Sequence, residues 1–366
     1  MTLTPLWSTR RPTHTSTTGA HKFVPAATSG LRGPCPGLNA LANHNYIPHN
    51  GFVSILGAIL VSLEVFGFGP DTGVVAGILS LYGANPPLLD ISIGKSPGGL
   101  GGVLGIIFGK GSGLSGTHNQ FESASSPTRC DLYEPGCADN YTPQGDRFAA
   151  LINLLEQNPD PSANFDIIVQ HRVNIFRHSV QNNPFFFYGP VQMLVSCITH
   201  TLIPALMSNH SAEYPNGYID VDGLSSLYGM TRGVTVNFDT PATRGSQRDG
   251  SLGRATTPTL TSRVASPTYS GCGLNTLKRS SLEATPDNAE SLLFGNNAAC
   301  FAFQLAQILI PSILANLEAI LADLLAHVAA VVGEQILALA CPTLEAMKLE
   351  SLNQYPGYRK SAGYGM

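Results

Sequence analysis

The stretch PCPGLNALANHNYIPHNG, residues 34–51, is the part of this 366-residue chain that decides its fold. Proline is favoured at the first position of a helix, where its missing N–H would be unpaired in any case. Pro36 therefore predicts a helix with Cys35 as its N-cap. The unpaired amides and the positive end of the helix dipole would then face the sulfur and stabilise a thiolate. Such a thiolate can ligate iron or act as a nucleophile. The alternative is a cysteine that only packs between two prolines.

The composition of the chain excludes two classes of protein. Apolar residues make up 43% and charged residues 12%, and this charged share is about half of the usual value of roughly 25%. A largely disordered chain is therefore excluded. The net charge of −4 gives no basic surface for nucleic acid. The two most apolar runs, 52–69 and 300–341, contain carboxylates, so we expect buried helices there and not membrane spans.

The apolar residues recur mostly at helical spacing, and few runs alternate with the period of two that marks a strand. The sequence therefore predicts a mostly α-helical protein with little sheet, organised as one domain over residues 32–349. A flexible N-terminal extension (1–31), a flexible insertion (239–295) and a C-terminal tail (350–366) complete the predicted organisation. The predicted helices cover residues 38–43, 51–65, 71–81, 148–156, 165–182 and 191–207, and a helical hairpin follows over 298–349.

The stretch 34–51 resembles the haem-thiolate peroxidase family, which includes fungal chloroperoxidase and the unspecific peroxygenases. That family places a cysteine between two prolines and uses its thiolate as the proximal haem ligand. The resemblance implies a single helical domain that binds haem b, with Cys35 as the axial ligand of the iron. It also implies the reaction, which is the oxidation or oxygenation of a small apolar organic substrate by hydrogen peroxide in fungal secondary metabolism.

A second run, HNQFESASSPTRCD at 118–131, is similar to the family pattern H-N-x-h-E-H-D-x-S-x-x-R-x-D, where h is apolar. In the family this glutamate and serine help to hold a divalent cation beside a haem propionate. Carried over, the ligands of a Mg²⁺ or Mn²⁺ ion are Glu122 and Ser126, and oxygen is the ligand that these ions prefer. Ser123 and Ala124 replace the histidine and aspartate of the pattern, which removes one carboxylate. The alternative is a polar capping cluster without an ion.

A third run, NPFFF at 183–187, resembles the N-P-x-F segment of the family. In active members a glutamate follows on the helix above the distal haem face and transfers the peroxide proton. Here residues 191–207 contain no carboxylate. Thr199 falls near the expected position and His200 lies beside it, so both are candidate catalytic residues. His200 is also interpretable as a core histidine, and the three phenylalanines as ordinary core or as the lining of a substrate channel.

The altered distal run leaves two other functions open. One is a family member that binds haem but lacks peroxidase turnover, and the other is a structural protein without haem. The sequence does not indicate an oligomeric state.

Seven cysteines form an odd set without the C-x-x-C spacing of zinc sites. Residues 295–301 and Cys341 are similar to the C-terminal part of longer family members, in which a disulfide clips the last hairpin. Two alternatives therefore remain open for Cys300 and Cys341, a disulfide bridge between them or two buried thiols. No secretory signal is visible, so we expect an intracellular protein and unused sequons at Asn140 and Asn209.

Overall fold

The computed structural model describes residues 16–66 and 126–230 with gaps in the second range, and the short pieces 84–85, 90–95 and 113–115. The gaps are 138, 159, 161–163, 187, 189–191, 193–194, 197–198, 201, 204–207, 209–212 and 215–217. Several sequence predictions lie outside the described residues: the helix at 71–81, the insertion at 239–295, the hairpin at 298–349 with Cys300 and Cys341, the tail at 350–366, Glu122 and Asn209.

About half of the described residues are helical and few are in strands, which confirms the predicted mostly α-helical fold with little sheet. After a short 3-10 turn at Gly19–His21, the helices are α1 (Pro36–Asn43), α2 (Ile55–Phe66), α3 (Gly145–Gln157), α4 (Asn164–Asn182) and α5 (Val221–Tyr228). Residues 192, 195–196, 199–200 and 202–203 are also helical, within the predicted helix 191–207. The sequence analysis missed α5, where the Asp220 side chain accepts a 2.7 Å hydrogen bond from the backbone N–H of Gly223.

A small sheet replaces the start of the predicted helix 51–65. Strands β1 (Phe52–Ser54), β2 (Ala84–Asn85) and β3 (Asp90–Ser92) pair antiparallel in the order β1-β3-β2. Val53 lies opposite Ile91 and both are buried, so the pairing covers two β-branched side chains. The hydroxyl of Ser54 accepts a 3.0 Å bond from the N–H of Gly57 and caps α2, which explains why that helix begins at Ile55.

The main hydrophobic core lies between α3, α4 and α5. Twelve buried residues form it, and the largest fully buried ones on α3 are Phe148, Leu151 and Ile152. Asn164, at the start of α4, is hydrogen-bonded to the residue two positions before α5. Its Nδ2 donates to the carbonyl of Ile219 at 3.0 Å, and its Oδ1 accepts from the N–H of Ile219 at 3.2 Å. This core fixes the position of α4, which contributes to the candidate site below.

Residues 16–31 are hydrogen-bonded to the region around α1, although the sequence predicts them to be part of a flexible extension. The N–H of Val24 donates to the carbonyl of Asn43, and that of Leu31 to the carbonyl of Asn50, each at 2.8 Å. The rings of His21 and His44 bond each other's backbone carbonyls at 2.9 and 2.7 Å. In the part of the chain that the structure describes, no helix is both long and apolar enough to cross a membrane.

Candidate active site

Cys35 is the N-cap of α1, as the sequence predicts, with an extended backbone (φ −87°, ψ 107°) and Pro36 in the first turn. Its side chain is partly exposed and is not in a disulfide. The amides of Gly37 and Leu38 have no acceptor inside the helix, because the first N–H groups of any helix lack one. A sulfur at this position therefore lies at the positive end of the helix dipole, where a negative charge is stabilised.

Asn39 fixes the loop that carries Cys35. Its side chain is fully buried, its Oδ1 accepts from the N–H of Gly33 at 3.0 Å, and its Nδ2 donates to the carbonyl of Gly33 at 2.8 Å. This amide thus mimics a second peptide group and satisfies both polar atoms of Gly33. Since Asn39 is one turn into α1, the loop before Cys35 is tied to the helix that Cys35 caps.

The loop also packs directly against the residues that follow β3. A Cβ atom on Gly33 would lie 2.1 Å from the carbonyl oxygen of Ile93, and one on Gly94 would lie 2.6 Å from that of Arg32. No side chain fits at either position, so the two backbones touch. The buried Arg32 donates from Nε to Oδ1 of Asn43 at 2.9 Å, which joins the other side of the loop to the last residue of α1. Contacts with α1 and with the segment after β3 therefore fix the loop that carries Cys35.

His200 is buried and its Nδ1 lies 3.1 Å from the backbone carbonyl of Ser196. A carbonyl only accepts, so Nδ1 carries the hydrogen and Nε2 carries the lone pair. That Nε2 atom is buried, and no described residue offers it a hydrogen-bond partner. Burial first, and then the neighbouring His171 and Arg172, hold the pKa of His200 well below its ordinary value of 6.5. The ring is therefore neutral at neutral pH.

His171 on α4 is a second buried histidine that the sequence analysis missed. Its ring centre lies 6.0 Å from that of His200, and among the described residues only the backbone of Arg147 comes close enough to act on its ring nitrogens. Burial, followed by the charge of Arg147, lowers its pKa from 6.5 to about 4, against the effect of the Arg147 backbone. Its spacing could have revealed its burial. His171 lies four residues after Ile167 and four before Ile175, on a helix face whose other two members are apolar and buried.

His171 and His200 form a pair of buried imidazoles whose rings lie next to each other. Buried polar atoms almost always have partners, so unpartnered ones indicate a place for a water, an ion or a ligand. Arg172 holds the two helical segments together, because it donates to the hydroxyl of Ser196 at 3.1 Å and also to the hydroxyl of Tyr188. The Thr199 hydroxyl donates to the carbonyl of Val195 at 2.8 Å, so its proton is used inside its own helix.

The remaining predicted site residues that the structure describes are Ser126 and those in the turn after α4; Phe187 lies outside the described residues. The Ser126 hydroxyl is buried and meets no hydrogen-bond partner in the described part of the chain. Its predicted companion Glu122 lies outside the described residues. Asn183 forms a local turn by accepting from the N–H of Phe185 at 2.9 Å. Phe186 is fully buried against the ring of Phe176, whereas Phe185 is 39% exposed.

A disulfide joins Cys130 to Cys137. The sequence analysis considered only Cys300 and Cys341 for a bridge, because nothing in the spacing of the other cysteines separated this pair. The neighbouring Asn140 is buried, with 5% of its surface exposed, and this burial agrees with an unused sequon at that position.

Comparisons with known proteins give consistent matches. The model of the family described as "Peroxidase, family 2" matches residues 21–241. The dothistromin biosynthesis peroxidase of Dothistroma septosporum is 33% identical over an alignment of 368 residues including gaps, and this alignment covers 94% of this chain and 86% of that protein. An aromatic peroxidase of Fusarium equiseti is 29% identical over 372 residues, with 94% of this chain and 83% of that protein covered. An aromatic peroxygenase of Cyclocybe aegerita is 24% identical over 236 residues, or 62% of this chain and 59% of that protein.

Proposed function

Because this chain belongs to the fungal haem-thiolate peroxidase family and is a peroxide-dependent oxidoreductase, we propose that it oxidises a small apolar aromatic compound in fungal secondary metabolism. The substrate class is supported by the relatives, two of which are named an aromatic peroxidase and an aromatic peroxygenase. The metabolic setting is supported by the relative named for dothistromin biosynthesis.

The observation that carries the proposal is the placement of Cys35. A haem held by a cysteine thiolate cleaves the O–O bond of peroxide, which electron donation from the sulfur favours. The donor fits this role because the sulfur is partly exposed, is outside the disulfide and caps a helix. Cys35 would hold the haem iron through its sulfur, and Asn39 and Gly33 keep its loop in position through their paired hydrogen bonds.

His200 takes the proton-transfer role that a glutamate has in other members. Its Nε2 lone pair is buried, has no protein partner and belongs to a neutral ring, so this atom can accept a proton and return it. His171 faces the same ring and shares the transfer. Thr199 supplies a hydroxyl oxygen nearby, and general acid–base catalysis of this kind is typically worth 10²–10⁴-fold in rate.

A divalent cation is the second proposed cofactor. Glu122 and Ser126 contribute the oxygen ligands for Mg²⁺ or Mn²⁺, and the unpartnered Ser126 hydroxyl supports this assignment. The haem itself is proposed to be haem b, and the protein is proposed to be intracellular.

The experiment measures peroxide-dependent oxidation of a phenolic substrate by the purified, haem-loaded protein. We expect turnover in the wild type, a rate about 10²–10⁴-fold lower in His200→Gln, and a lower rate in His171→Gln. Asn158→Ala, at the exposed end of α3, is the matched control. The haem spectra of all four proteins should agree, so that the loss reports chemistry and not haem loading.

The alternative function is haem binding without turnover, which the absence of a carboxylate from residues 191–207 favours. That alternative predicts a normal haem spectrum and no consumption of peroxide with any phenolic substrate. Equal rates in the wild type and His200→Gln would instead contradict the role of His200 while leaving the function in place.

A further inference from the structure

The loop at residues 130–137 is closed by a disulfide and contains an acidic side chain beside it. Cys130 is 8% exposed, whereas Cys137 is partly exposed. A carboxylate oxygen of Glu134 and the two sulfur atoms all lie within 4.8 Å of one another. Backbone bonds at 3.1 Å, from Glu134 to Asp131 and from Cys137 to Glu134, shape the loop into two successive turns.

This loop holds the turn at residues 183–186 against α4. The buried Asp131 accepts a 3.1 Å bond from the side-chain amide of Asn183, and the ring of Tyr133 lies 4.8 Å from that of Phe185. Both contacts start from residues between the two cysteines. The sulfur–sulfur bond therefore fixes the segment from which the 183–186 turn is anchored.

The same loop reaches the buried histidines through Arg147. Glu134 contacts Arg147 with one carboxylate oxygen and His178 with the other. The charge of Arg147 in turn acts on His171, whose ring faces His200. A change in the loop therefore alters the surroundings of the proposed proton-transfer pair through one intervening side chain.

We propose that Cys130 and Cys137 form a peroxide-responsive thiol pair, whose disulfide clasps the 183–186 turn onto α4. The proposal requires peroxide, which is the oxidising substrate of this enzyme family, and does not depend on the haem ligand. Cys137 is the thiol that meets peroxide, because it is the more exposed of the two. Reduction of the bond frees the loop and loosens the turn.

The chemistry balances with peroxide as the oxidant. Glu134 takes the thiol proton of Cys137, and the sulfur attacks one peroxide oxygen, which breaks the O–O bond and releases hydroxide. The sulfenic acid formed on Cys137 is then attacked by the sulfur of Cys130, which forms the S–S bond and expels a second hydroxide. The two thiol protons convert both hydroxides into water, so one peroxide is reduced and two thiols are oxidised.

The first experiment follows the two thiols directly. Trypsin cuts after Arg129 and Arg147 and at no residue between them, so peptide 130–147 contains these two cysteines and no other. The folded protein is reduced with a thiol, freed of reductant, treated with one equivalent of hydrogen peroxide and alkylated. We expect two labels on the peptide before peroxide and none after it. Glu134→Gln should slow the loss of label, and Cys35→Ala should not change it.

The second experiment tests the clasp by amide hydrogen exchange. Exchange at residues 183–186 should be at least tenfold faster in the reduced protein and in the Cys130→Ser/Cys137→Ser double variant than in the oxidised wild type. Exchange in α5 serves as the internal control and should not change. A reduced wild-type enzyme should also show a lag in turnover that the double variant lacks.

Three results would overturn the proposal. A peptide 130–147 that resists the thiol in the folded protein would make the bridge purely structural. Two labels that persist after peroxide would exclude the peroxide step, and unchanged exchange at 183–186 would exclude the clasp. Since Cys35→Ala keeps the thiol pair, these results are independent of whether Cys35 binds haem.

Discussion

Replacing Asn39 by alanine removes the side chain that positions the cysteine loop. Two buried hydrogen bonds to Gly33 are lost, and each bond of this kind contributes about 1 kcal/mol net. The N–H and carbonyl of Gly33 are then left without partners, at a cost of roughly 1–3 kcal/mol per buried group. Gly33 is itself buried, so these two atoms are not open to bulk water.

The expected loss for Asn39→Ala is therefore about 2–6 kcal/mol of unfolding free energy, a large part of the total of roughly 5–15 kcal/mol that a domain has. Urea unfolding followed by circular dichroism measures it. Asn158→Ala is the matched control, since its exposed side chain makes a single bond to a helix carbonyl and should cost less than about 0.5 kcal/mol. If both variants were equally stable, the paired bonds of Asn39 would not hold the loop.

The remaining predictions concern pH, packing and capping. The pKa of His171 is about 4 in the folded state and 6.5 when unfolded, so the unfolded chain binds the extra proton and stability falls as the pH drops. Between pH 7 and pH 5, His171 lowers the free energy of unfolding by about 2 kcal/mol, and His200 lowers it further. Urea titrations of a His171→Asn/His200→Asn variant should therefore show a flatter dependence of stability on pH than those of the wild type. Gly33→Ala should lower the free energy of unfolding by about 1–3 kcal/mol, because the new Cβ would clash with the Ile93 carbonyl. The variant should also retain less haem on gel filtration. Asp220→Ala should cost about 1 kcal/mol of stability through the lost cap of α5, with an unchanged haem spectrum as its check.

The elements that the sequence predicts correctly are those set by local chemistry. Pro36 begins α1 with Cys35 as the N-cap, because proline suits the first turn of a helix irrespective of the rest of the fold. Helices α3 and α4 are also found, since their apolar residues recur at helical spacing over several turns.

The errors concern pairings that local periodicity does not determine. The helix predicted from residue 51 starts at Ile55, because Val53 pairs with Ile91 on another strand. The Cys130–Cys137 bridge was missed because seven cysteines allow many pairings and sequence spacing does not choose among them.

His171 shows the same limitation at the candidate site. Its position on α4 follows from the helix, but its proximity to His200 depends on how two segments pack. Of the proposed proton-transfer pair, the sequence therefore indicated His200 and not His171.

The central claim is that the Cys35 sulfur binds the haem iron at the start of α1. The most direct test compares the ferrous–carbon monoxide absorption spectra of the wild type and of Cys35→His after identical haem loading. The wild type should show the red-shifted Soret band of a thiolate ligand, and Cys35→His should show the shorter-wavelength band of an imidazole ligand. A wild-type spectrum of the imidazole kind, or two identical spectra, would contradict the claim.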